Sequence, residues 1–165
     1  MNLRSVLAAA LLSLFPSLRA VAHDPGISSA HIEVSSDRVE LTMTLGASDA
    51  GLFQEAFARS GKAKKSPHPP ADQLEEVARS LGELQSGKVV LAPTKVSLLD
   101  PSEPGEFSVR VCYDLPRGER FEYRALGFGL LPRGHRQLAV ALRGSKTLAE
   151  SILDGKNNVL FVPLK

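Results

Sequence analysis

The side chains with the most chemistry to offer are histidines, and three of them, His23, His31 and His135, stand where a metal ion could be met. His23 follows Ala20-Val21-Ala22, so a cut after Ala22 would leave it as the first residue. Its α-amine and imidazole would then chelate Cu(II) or Ni(II) together. One further imidazole, from His31 or His135, would complete a T-shaped site, and an all-nitrogen set of this shape suits copper(II) best. Asp24 is a candidate accessory oxygen ligand. The fourth histidine, His68, lies among prolines and is expected to be solvated.

His135 carries a second reading. It sits in Pro132-Arg133-Gly134-His135-Arg136, where its ring can fix a turn between strands while Gly134 supplies dihedrals closed to other residues. Arg133 and Arg136 beside it lower the attraction for a cation and favour an anion. The two readings stay open at this level.

Enzyme signatures fail at informative positions. Gly46 and Gly51 have the spacing of a phosphate loop, but Leu52 stands where the lysine must be. No serine occupies a Gly-x-Ser-x-Gly elbow. The carboxylates are read as ordinary surface charge. Cys112 is the only cysteine, which rules out an internal disulfide, and its place in a strand predicts a buried, inert thiol. A non-enzymatic binding role is expected.

The compartment follows from the start of the chain. Arg4 precedes the apolar run Val6 to Phe15, and small residues at Ala20 and Ala22 fit a signal peptidase, so residues 1–22 are expected to be a cleaved secretory leader. The run is far short of the roughly 20 residues a membrane-spanning helix needs. Later apolar segments are short and charge-interrupted, so no membrane-spanning segment is expected after cleavage, and residues 23–165 are expected to form one periplasmic or secreted domain. Without Arg4 and Arg19 the 20 basic residues fall to 18, equal to the 18 acidic ones. That balance argues against a nucleic-acid partner, which calls for a basic face.

These side chains must be positioned by strands. Ala30, Ile32 and Val34 alternate with His31 and Glu33, a polar turn follows at Ser36-Asp37-Arg38, and Val39, Leu41, Met43 and Leu45 alternate again, so the chain opens with a β-hairpin. A helix capped by Ser48 is expected through Leu52, Phe53, Ala56 and Phe57, and a second over Ala71 to Leu84. Between them Lys62, Lys64, Lys65 and three prolines make an exposed loop. Strand patterns return around Val89 to Ala92, Lys95 to Leu99, Phe107 to Tyr113, Phe121 to Ala125, Leu138 to Leu142, Thr147 to Leu153 and Val159 to Leu164. The expected architecture is mainly β: an antiparallel β-sandwich of seven or eight strands with a two-helix insertion at about 47–84.

Two stretches carry a family resemblance. His23-Asp24-Pro25-Gly26-Ile27-Ser28-Ser29, and Leu130-Leu131-Pro132-Arg133-Gly134-His135-Arg136-Gln137 with Ala149-Glu150 after it, resemble the exported N-terminal domain of HupE/UreJ-like hydrogenase and urease accessory proteins. The order of hairpin, helical insertion and late strands is similar too. The resemblance implies a domain that works beside a membrane domain for which nickel or related metal transport is proposed. No stretch up to Lys165 supplies that membrane domain, so transport is not carried over. What remains is periplasmic metal handling by copper or nickel, or docking on an envelope membrane protein.

Overall fold

The opening hairpin forms as β1 (Ile27–Val34) and β2 (Arg38–Leu45) in the computed structural model, which describes residues 26–61 and 71–165. Period-two alternation does the work: Ala30, Ile32 and Val34 join Val39, Leu41, Met43 and Leu45 in the core, while His31 points to solvent.

Helix α1 (Ala47–Arg59) comes next, but its cap is Gly46 in an extended conformation without a side-chain bond, so Ser48 lies inside the first turn. Phe53 and Phe57 bury one stripe of the helix, their ring centroids 5.8 Å apart, and Phe53 stacks on Phe107 at 6.5 Å. Helix α2 (Ala71–Leu81) buries Leu74, Val77, Ala78 and Leu81. The helix expected to reach Leu84 stops three residues earlier, because Gly82 opens strand β3 (Gly82–Ser86). Glycine favours that switch: it is a poor helix residue, and its bare backbone lets β3 press against its neighbour. A Cβ at Gly82 would stand 2.7 Å from a ring carbon of Tyr123 and 3.1 Å from the Arg124 carbonyl oxygen.

The remaining elements are β4 (Val89–Val90), β5 (Lys95–Leu99), β6 (Phe107–Asp114), β7 (Arg120–Ala125), a 3-10 turn (Gly127–Gly129), β8 (Arg136–Arg143), β9 (Lys146–Leu153) and β10 (Val159–Pro163). The fold is mainly β, and ten strands among the described residues form two sheets ordered β5-β6-β2-β1-β8-β9 and β10-β7-β3-β4. The count exceeds eight for two reasons. Residues 82–86 are strand rather than helix, and the break at Pro93 sends β4 and β5 into different sheets. All pairings are antiparallel except β1 with β8, which run parallel because the helices and the second sheet are threaded between them.

The two sheets pack face to face, and apolar side chains from both, together with those of α1 and α2, make one continuous core. In β8 the buried positions are Gln137, Ala139 and Ala141, and the larger Leu138, Val140 and Leu142 turn outward. Cys112 is half-buried on the outward side of β6, in register with Glu40 and Lys95, rather than in the core. No helix among the described residues is long and apolar enough to cross a membrane.

Candidate functional site

At the end of the sandwich where β1 begins, the core turns polar. Ser28 and Gln137 are opposite each other in the parallel register, both inward, and Asp49 and His135 are buried beside them. Each comes from a different element. Ser28 continues the inward positions of β1, Asp49 lies one turn before Phe53 on the buried stripe of α1, and His135 closes the turn that leads into β8. That turn forms as its sequence suggests: the His135 N–H donates to the Pro132 carbonyl at 3.1 Å, and Gly134 has φ of +87°.

His135 is 2% exposed, and its Nε2 lies 2.8 Å from the Ser28 hydroxyl oxygen. Its Nδ1 faces the Asp49 carboxylate at 3.6 Å, too far for a hydrogen bond, and has no other partner among the described residues. A carboxylate accepts only, so a ring carrying its proton on Nδ1 satisfies this geometry, with Nε2 accepting the Ser28 hydroxyl. Phe128 covers the ring, centroids 6.0 Å apart. Burial pushes the His135 pKa below its usual value, and the charge of Asp49 partly opposes that shift. Asp49 in turn is packed on Gly26, where any Cβ would fall on its carboxylate. Next to the cluster the Tyr123 hydroxyl donates to Gln137 Oε1 at 2.7 Å, and burial raises the Tyr123 pKa far out of reach.

Serine, histidine and aspartate in this order have the composition of a hydrolytic triad, so access decides what they can do. Ser28 is 3% exposed and lies at the start of β1, in register with Leu45 of β2 and Gln137 of β8. The void it shares with Phe128, Leu131 and Gln137 is about 10 Å³, room for one water at most. Among the described residues, this void is too small to admit an acyl substrate. The arrangement instead ties α1, β1 and the turn before β8 together.

Sequence reasoning reached His135 and missed its partners. His31 and His135 are not brought together: His31 is exposed on the outward face of β1, and His135 is buried on the inward side. His23 and Asp24 lie outside the described residues, as do residues 1–22, expected to be a leader, the lysines of the loop and His68. Among the described residues no three histidine, cysteine or acidic side chains gather as a metal site.

The outward side of the same end carries the second feature. Leu138 pairs directly with Ile152, and Ile27 precedes Ser29, the partner of Leu138 on β1. Ile27 and Ile152 are 69% and 62% exposed, well beyond the ordinary half-covered aliphatic. A cleft of about 310 Å³, lined in part by Ile27, Ser29, Thr44, Pro104 and Leu138, adjoins this strip. Two other open clefts lie between α1 and β5 and around Ser35, the second lined in part by Glu33 and Arg143.

Compared with known proteins, the chain is matched by no family model and by no curated protein.

Proposed function

We propose that this chain is an exported, non-catalytic binding module whose binding surface is the outward face of β1, β8 and β9. One observation carries the reading: β8 places Ala139 and Ala141 in the core and turns Leu138, Val140 and Leu142 out, beside exposed Ile27 and Ile152. Large aliphatics on the wet side of a strand, grouped rather than scattered, mark an interaction surface. The small size of the void at Ser28 supports a role without catalysis, and the leader-like residues 1–22 support export to the envelope. The likeness to the exported domain of HupE/UreJ-like proteins fits the same placement.

The test is the size of the chain in an extract of its native envelope. Wild type is expected to elute above monomer mass, and the exposed double substitution Ile27→Ser with Ile152→Ser is expected to elute as a monomer with unchanged thermal unfolding. Identical elution of the two would overturn the reading.

Copper or nickel handling is a second reading, favoured by the exposed ring of His31 on the outward face. A chain beginning at His23 should then bind Cu(II) more weakly after His31→Ala and equally well after His135→Ala. Binding that is insensitive to His31→Ala contradicts it.

A further inference from the structure

We infer that the N-terminus created by removal of the leader docks back onto its own domain, the His23 α-amine seating beside Glu103 and Glu106 at the Ile27 end, an inference that rests on cleavage after Ala22. The described residues begin at Gly26, which is already fastened: its carbonyl accepts from the Arg136 N–H at 3.0 Å, and it is packed on Asp49. Next to it opens the cleft of about 310 Å³ whose walls include Ile27, Gly46, Ala47, Leu138 and the two glutamates. The space over Gly46 is free, since a Cβ there would meet nothing within 4 Å.

Reach selects the segment. Ser28, Leu45 and Phe107 stand in one row across β1, β2 and β6, so β1 and β6 are two strand spacings apart, about 10 Å. Glu106 precedes Phe107 as Ile27 precedes Ser28, and His23, Asp24 and Pro25 together span up to about 11 Å when extended. Pro25 favours that form, because the residue before a proline is held to extended backbone.

Charge selects the end of the segment. The charged groups lining the cleft are Glu103 and Glu106, both acidic. Glu106 is held in place by the Ser108 hydroxyl at 3.0 Å and by the amides of Ser102 and Glu103, each at 3.1 Å, three bonds on a carboxylate with room for about four. Asp49, the other carboxylate at this end, is buried under Gly26 and faces His135. The segment's own anion, Asp24, has Arg136 within reach, in register with Ile27 on the side of β1 away from β2. Before cleavage the nitrogen of residue 23 is a neutral amide. Cleavage turns it into an ammonium, which carboxylates hold by charge-assisted hydrogen bonds. Removal of the leader is then the step that closes this end of the sheet.

The test uses the chain as exported and recovered from cells, its first residue fixed by mass spectrometry, beside a chain that keeps Ala22 and so carries its amine one residue farther out. At neutral pH an acylating reagent, followed on the N-terminal peptide, reads the unprotonated fraction of the α-amine, and a seated ammonium yields less of it. Acylation of the His23 chain should be more than about tenfold slower than that of its Glu103→Gln with Glu106→Gln variant, the effect of one pKa unit or more. The same double substitution should lower the unfolding midpoint more in the His23 chain than in the Ala22 chain, a difference that damage to the Glu106 loop alone would not produce. An amine as reactive in the His23 chain as in the double variant, or midpoints that fall equally in both backgrounds, overturns the docking and leaves the cleft to another occupant. An exported chain whose first residue is not His23 overturns it together with the cleavage reading, whereas one that starts at His23 with a freely reactive amine overturns the docking alone.

Discussion

Phe53→Ala is expected to cost about 3–5 kcal/mol, the usual range for truncating a buried aromatic. Phe53 is 1% exposed and stacked between Phe57 and Phe107, so it fastens α1 to the large sheet through β6. Neither neighbouring ring can move in to fill the space without leaving its own contacts. The effect should reach the polar cluster, because Asp49 is carried by the same helix face one turn earlier. Denaturant unfolding measures it: the midpoint should fall steeply with little change in slope. A loss under about 1 kcal/mol would mean that α1 is not seated as described.

Acid sensitivity centred on His135 is the second expectation. Its folded-state pKa lies below the unfolded value of about 6.5, so between the two values the unfolded chain binds the extra proton. Stability is then full above the unfolded pKa and declines as pH falls through the window, by up to about 1.4 kcal/mol per pH unit. The groups facing the ring are the Ser28 hydroxyl from β1, the Asp49 carboxylate from α1 and the Phe128 ring. Of these, Asp49 alone favours the charged ring. Asp49→Ala should therefore lower the His135 pKa further and extend the decline to lower pH. His135→Gln should flatten the profile below about pH 6.5. Unfolding midpoints measured across that range check both, and a wild-type profile as flat as that of His135→Gln would contradict the assignment.

Much of the fold was legible because period-two alternation is local. β1 and β2 read directly as a hairpin, since Ala30, Ile32 and Val34 and then Val39, Leu41, Met43 and Leu45 alternate with polar residues on either side of a polar turn. The end of α2 did not, because Leu84 keeps helical spacing with Leu81 and Val77 while the decisive fact, the approach of Gly82 to Tyr123, is long-range. β8 shows only its larger residues to a pattern search, yet its small alanines are the ones that meet the opposing sheet. The site was legible in halves. The turn around His135 followed from Gly134, but the pairing with Ser28 spans 107 positions and depends on the parallel register of β1 and β8. Signals for the other members were present. Ser28 shares the inward parity of Ala30 and Ile32, and Asp49 stands four residues before Phe53 and eight before Phe57, a carboxylate on an apolar stripe. A polar residue on a buried stripe demands a buried partner, and that rule would have selected both.

The central claim, that the outward face of β1, β8 and β9 is where this chain binds, is tested most directly by a photo-crosslinking residue placed at Ile152 and, separately, at Lys88 in the exposed turn of the other sheet. Irradiated in the native envelope, the Ile152 chain is predicted to form a discrete protein adduct and the Lys88 chain none. An adduct from Lys88 with none from Ile152 would contradict the account.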